Sequence, residues 1–293
     1  MAVDLTSLTS YVDEQRLPLI KKSVLGAKTT GLINVQTDVK SVAAINLLAV
    51  NPTLQAGGCG WNDAGSAKLS QRKIQTKLLK VNQSFCDKDF LNYWCNYEAK
   101  VGVGKETLPF EEYFTSAIVD SVNASVERMI WNGNDSASEF KGFLPILAAE
   151  DDVITVEPAE GTSAYGAIKE VYMAIPEEIL DKAVIFVGAD TFRAFIQEMV
   201  EKNYYHYSAD ASAQEFVLPA TNTKVIALNG LNGTKKIVAG DPANFFYGCD
   251  MMDDKEQFEM WYSQDNREYR LAIQFNGGVE VAYPEEIVVA TLA

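Results

Sequence analysis

The shortages in this sequence narrow its function first. Among 293 residues there is one histidine, His206, and the four cysteines (Cys59, Cys86, Cys95, Cys249) never stand as C-x-x-C. A single imidazole allows at most one Ser-His-Asp or Cys-His site. Without paired cysteines a structural zinc ion has no donor set. The thiols read as reduced, mostly buried side chains in a reducing compartment. Cations are short as well: 25 Lys and Arg against 40 Asp and Glu leave a net charge of −15. That balance argues against a dedicated nucleic-acid binder, because neutralising phosphates needs clustered cations. No apolar run approaches the roughly 18 residues of a membrane helix. Met1 to Thr6 show no basic region ahead of an apolar core, so neither a secretory signal nor a membrane partner is expected.

What is present is globular. Hydrophobic residues make up 47% and charged residues 22%, an ordinary folded profile, and the length suits two domains or one elaborate one. A chain of this size buries about three-quarters of its unfolded surface, enough to fold without disulfides or a metal. Charge is unevenly placed. Residues 1–108 carry 13 Lys/Arg and 9 Asp/Glu, whereas the remainder carries 12 and 31. Lys68, Arg72, Lys73, Lys77 and Lys80 run with no acid between Asp63 and Asp87. Most such runs are a solvated face. The functional alternative is a basic projection that meets an acidic surface on another copy of the chain.

Along the chain, residues 1–30 read as an arm with a short helix near Leu5–Arg16 and too few apolar residues to bury itself. Residues 32–50 alternate as strand. A Pro-, Gly- and Asn-rich tip with Trp61 follows, and then a second extended stretch, Lys73 to Val81, which together make a long hairpin. A two-stranded ribbon with so polar a face needs a partner. Residues 86–107 are aromatic and read as partly helical. Pro109 to Trp131 reads as a helix, with Glu111 and Glu112 in its first turn and Asn132-Gly133 as its stop. From Asp151 to about Gly240 the pattern is α/β. Val153 to Val156 and Ala183 to Gly188 read as strands, Ser163 and Asp190 as N-caps, and 224–228 with 235–239 as a hairpin across Asn229–Gly233. The tail reads as strands at 258–262, 269–275, 279–283 and 287–290.

Catalytic readings fare poorly. His206 lies in a Tyr-rich loop (Tyr204, Tyr205, Tyr207). Gly161 to Gly166 misses the G-x-S-x-G spacing by one residue, so Ser163 is more simply a cap. Ala99 and Glu106 break the phosphate-loop pattern around Gly104-Lys105. Asp250, Asp253, Asp254 and Glu256 lack the spacing of a calcium loop. The chain reads as no enzyme, with no cofactor and no metal.

The order of elements carries the remaining signal. An arm, a projecting hairpin and a long helix ending in Glu127-Arg128-Met129-Ile130-Trp131-Asn132-Gly133 come first. Phe140-Lys141-Gly142-Phe143-Leu144-Pro145, Gly240 to Asp250, Phe275-Asn276-Gly277-Gly278 and Pro284 to Val288 follow. This order resembles a tailed-bacteriophage major capsid protein. The resemblance implies an α+β, Hong Kong 97-like fold: an N-terminal arm over 1–33, an extended hairpin loop over 34–82, a peripheral domain over 83–150 with its spine helix at 109–132, an axial domain over 151–244, and a return to the peripheral domain over 245–293. It implies a structural subunit, assembled in the host bacterial cytoplasm, that forms hexamers and pentamers of an icosahedral virion shell around double-stranded DNA touched nonspecifically at most. The alternative is an encapsulin-type nanocompartment. Portal and decoration proteins are implied partners, and the short N-terminal part implies a separate scaffold protein or none. Inter-subunit contacts are expected at Lys68, Arg72, Lys73, Lys77 and Trp61 of the hairpin and at Tyr204, Tyr205 and His206 of an axial loop. Lys68 or Lys73 with Asn244 fits the lysine–asparagine cross-link of some such shells, but none is expected here.

Overall fold

The computed structural model describes residues 26–55, 57, 59, 64–86, 110–202, 215–219, 221–250, 258–266 and 268–292. The first sheet is built on β12 (Glu268–Val281), a 14-residue strand. β4 (Lys77–Cys86) pairs antiparallel along one edge. β11 (Phe258–Ser263) and then β10 (Phe245–Asp250) pair antiparallel along the other, and β1 (Asn34–Gln36) adds in parallel to β10. Along β12, Tyr269, Leu271, Ile273 and Phe275 are buried while the residues between them are half-buried, the period-2 signature of a strand packed on one face. That face lies against α1 (Phe110–Asn132), whose 23 residues span about 35 Å. Ile118, Val119, Val122, Val126, Met129 and Ile130 are among its buried positions, while Ala117, Ser121 and Ser125 stay exposed.

The second sheet has six strands in the order β5 (Ile154–Val156), β13 (Val288–Thr291), β9 (Lys236–Gly240), β6 (Val184–Gly188), β8 (Lys224–Leu228) and β7 (Glu215–Val217). It is covered on both faces, which explains the unbroken apolar runs of its central strands. Ile185, Val187, Val225 and Ile237 face α3 (Ala164–Ala174) and α4 (Ala189–Glu201). Phe186, Ile226, Leu228 and Val238 face the other way, into the core shared with α1 and the first sheet. Trp131 is the centre of that shared core. Its ring lies 5.3 Å from Phe143 of α2 (Phe143–Leu147), 5.5 Å from Phe186 and 6.2 Å from Phe245.

Several expectations change. The 224–239 segment is not a hairpin. β6 lies between β8 and β9, parallel to one and antiparallel to the other, and Asn229–Leu231 is a 3-10 turn that carries the chain across. The Asn-Gly signals mark the turn correctly, but burial on both sides of β6 decides the pairing. The tail's two middle strands are one, because Gly277 and Gly278 remain in the ladder. The last strand, β13, pairs with β5 and β9, so the end of the 245–293 stretch belongs to the second sheet. The cap of α4 is Gly188 rather than Asp190, whose side chain accepts from the Thr191 and Gly233 amides. Ser163 does cap α3, accepting from Gly166 N–H at 3.2 Å.

The arm's last residues do not stand free. Ala27, Thr29, Thr30 and Ile33 are buried. Thr29 donates from its hydroxyl to Glu127 Oε1 at 2.5 Å and from its amide to Oε2 at 3.0 Å, while the Trp131 indole donates to the same hydroxyl at 2.8 Å. Lys28 Nζ reaches the Ala227 carbonyl on β8 at 3.1 Å. Residues 1–25, Pro109 and the 87–109 stretch lie outside the described residues.

Candidate assembly surface

β2 (Val42–Pro52) and β3 (Gly65–Gln75) form a ribbon of eleven consecutive antiparallel pairs, with no third strand among the described residues. At about 3.4 Å per residue each strand runs about 37 Å. The ribbon differs from the expected hairpin at its second strand. β3 begins at Gly65, and the stretch 73–81 is split at Thr76, beyond which β4 joins the first sheet.

Alternation gives the ribbon two faces. Ile45 and Leu47 on β2 and Ile74 on β3 lie on one face and are buried at its base against Ala282, with Ala43, Phe246 and Tyr283 around them. The opposite face carries Val42, Leu48 and Val50 from β2 and Leu69 from β3. Leu48 pairs directly with Leu69, and the two side chains are 56% and 79% exposed. Among the described residues, these four apolar side chains stay open to water on one face of the ribbon. The residues themselves signalled this, since Val42 to Val50 is nearly continuous in apolar side chains. The sequence reading, drawn to the lysines, did not single out Leu48 or Leu69.

The base of the ribbon is seated closely. β3 crosses the first sheet where Gly248 and Gly278 oppose each other. A Cβ on Gly278 would lie 2.1 Å from the Gln75 carbonyl oxygen, and one on Gly248 would lie 2.9 Å from the Ile74 Cγ2 methyl. No side chain fits at this crossing. Thr76 closes the neck, donating from its amide to the Ser41 carbonyl at 2.9 Å and from its hydroxyl toward the Val39 and Ser41 carbonyls.

The basic residues divide. Lys68 and Lys73 are exposed on β3. Arg72 turns inward, donating to Glu280 Oε1 of β12 at 3.1 and 3.3 Å and to Glu150 of the segment between α2 and β5. Lys77 pairs with Asp135 at 3.2 Å and donates to the Ser136 carbonyl. The run is therefore not one solvated face. Two of its cations tie the hairpin region to acids far away in sequence. Trp61, Tyr204, Tyr205 and His206 lie outside the described residues.

Acids gather elsewhere. Burial, followed by Glu285, Asp241 and Glu178, raises the Glu286 carboxyl above the usual carboxylate value, with Lys182 opposing. Among the described residues no group of three or more His, Cys, Asp or Glu is placed to hold a metal. Asp250 is buried, and Asp253, Asp254 and Glu256 lie outside the described residues. Ser163 also donates to Glu198 Oε1 at 2.7 Å, so its hydroxyl is committed to joining α3 with α4. Cys249 is buried and free, its thiol pushed up to about 12 by burial and then by Asp250 and Asp38. Cys59, near the hairpin tip, is exposed. No helix among the described residues is long and apolar enough to cross a membrane.

No protein-family model matches the sequence, and no curated protein matches it significantly. Solved structures do match. A chain of the satellite phage P4 procapsid, solved with its size determination protein, aligns with a TM-score of 0.63 at 11% identity, covering 98% of this chain and 96% of that one. The capsid of a native GTA particle aligns with a TM-score of 0.60 at 12% identity, covering 93% and 90%. A virus-like particle from Pyrococcus furiosus aligns with a TM-score of 0.53 at 9% identity, covering 94% and 98%. The chain thus has the α+β, Hong Kong 97-like capsid fold over nearly its whole length.

Proposed function

We propose that this chain is the major structural subunit of an icosahedral shell of the tailed-phage type. In that reading the first sheet with α1 is the peripheral domain, the six-stranded sheet with α3 and α4 is the axial domain, and the β2–β3 ribbon is the extended loop. The observation that carries it is the ribbon: eleven residue pairs with Leu48, Val50 and Leu69 uncovered, in a fold shared over nearly the whole chain with capsid chains. A two-stranded ribbon with an exposed apolar face gains from burial against a neighbour. Hexamers and pentamers would multiply contacts of modest size into a closed container, because each bound neighbour raises the effective concentration of the next contact. Portal and scaffold or decoration proteins, a double-stranded DNA content and location in a virion assembled in a bacterial cytoplasm belong to the same proposal. The chain acts as structure, not as catalyst.

An encapsulin-type compartment is the second reading, favoured by the match to the Pyrococcus furiosus particle. Sedimentation and negative-stain imaging of the purified chain test the proposal. Closed shells are expected, and a monomer at every concentration and salt overturns it. Neighbouring terminase and portal genes support a phage head, whereas a cargo enzyme gene beside this one supports a compartment.

A further inference from the structure

The ribbon is a stiff lever on a narrow neck. Its ladder is unbroken over eleven pairs, yet β3 and β4 belong to different sheets and Thr76 alone separates them. The other strand enters through residues 37–41, which include Asp38, whose φ of 69° is unusual outside glycine. Beneath the neck the Gly248–Gly278 pair offers backbone without side chains, and the ribbon's base, with the fully buried Ile74 over Gly248, lies close upon it. Three residues out from Gln75, the half-buried Arg72 guanidinium meets carboxylates from two separate elements, Glu280 of β12 and Glu150 before β5.

We propose that Arg72 is a releasable clamp that sets the angle of the ribbon. Engaged, its planar fork spans Glu280 and Glu150 and fixes the lever against the body. Released, the ribbon pivots over the glycine pair about Thr76 and residues 37–41. The bridge is suited to release because both carboxylates are partly open to water, where ion pairs are weak and screened by salt. An acid on a neighbouring copy could therefore exchange for one of them. This goes beyond the shell reading, since it concerns how the ribbon is aimed before it meets anything.

Hydrogen exchange on the soluble, unassembled chain tests it. Arg72→Met is expected to speed amide exchange in 42–52 and 65–75 by roughly tenfold or more, with β6 and β9 unchanged. Arg72→Lys keeps the charge but loses the fork, and is expected to speed the same amides. Adding Glu280→Gln to Arg72→Met should add nothing, because its partner is already gone. Added salt should speed the ribbon of the parent chain but not that of Arg72→Met. Ribbon exchange within about twofold of the parent, acceleration spread evenly over both sheets, or additive effects in the double variant would each overturn the clamp. Shell formation is scored separately: a parent chain that never assembles refutes the shell reading and leaves the exchange data to judge the clamp.

Discussion

Gly248 and Gly278 stand directly opposite each other on β10 and β12, and strand β3 passes over this pair. The consequence is asymmetric. At Gly278 the obstacle to a side chain is the Gln75 backbone oxygen, whereas at Gly248 it is a methyl of Ile74. Backbone yields less readily than a side-chain tip, although Ile74 is itself fully buried. Gly278→Ala should therefore cost more than Gly248→Ala, with both in the range of about 1–3 kcal/mol expected for overpacking. Urea unfolding measures the cost. Limited proteolysis should show new cuts near Thr76 in Gly278→Ala, and equal, negligible effects at the two sites would contradict the seat.

Thr29 holds together two buried groups from one turn of α1. Its hydroxyl gives its proton to Glu127 and takes one from Trp131, and all three residues are at most 4% exposed. Thr29→Val keeps the volume but orphans the indole N–H and leaves the carboxylate one donor short. The expected loss is about 2–4 kcal/mol, because an unsatisfied buried group costs its desolvation and here two are affected. Thr29→Ser, which keeps the hydroxyl, should lose under about 1 kcal/mol by comparison. Thermal unfolding of the pair decides the matter, and equal losses would show that the hydroxyl contributes nothing.

These two relationships also show what the sequence made legible. Strands and helices whose partners are set by local periodicity, such as α1 or the alternation of β12, could be read directly. So could the Ser163 cap, which depends on an amide three residues away. The seat and the buried triad depend on residues brought from afar: Gly278 with Gln75, Thr29 with Glu127. Nothing local distinguishes Glu127 from a surface glutamate, or Gly277-Gly278 from a turn. The β8–β9 pairing failed for the same reason, since a turn signal says where the chain bends and not which strand slides between. For the candidate surface, the ribbon and its lysines were visible. That Arg72 and Lys77 face inward was not, because Glu280, Glu150 and Asp135 reach them only through the fold.

Leu48 and Leu69 should matter to assembly and not to folding. They pair across the ribbon on its uncovered face. Leu48→Glu or Leu69→Glu places a charge where solvent already reaches, so the monomer's melting temperature should shift by under about 1 kcal/mol equivalent. A neighbour covering that face would have to bury the charge unpaired, and the yield of shells should fall at least about tenfold. Lys68→Glu should act more mildly and mainly at low salt, since an exposed charge steers encounter and is screened. Analytical ultracentrifugation reads all three. Normal shells from Leu69→Glu would remove the apolar face from the assembly contact.

Two glutamates predict opposite responses to pH. Burial pushes Glu198 up, but Lys202, the Ser163 hydroxyl and the Tyr165 amide together outweigh it and hold the carboxyl below its usual 4.5. A depressed carboxyl contributes stability above its unfolded value and loses it as pH falls through the folded value. Glu198→Gln should therefore lower the melting temperature at about pH 7, and the deficit should close on acidification toward about pH 3. Glu286 is the reverse case. Burial, Glu285, Asp241 and Glu178 raise it above 4.5, so ionising it opposes folding. That penalty is absent below the unfolded value and grows as pH rises through the folded one. Glu286→Gln should raise the melting temperature at about pH 7 and make no difference near about pH 3. Calorimetric scans at both pH values give the signs directly. A destabilising Glu286→Gln at neutral pH would mean that the carboxylate is held by a favourable partner and not crowded by like charge.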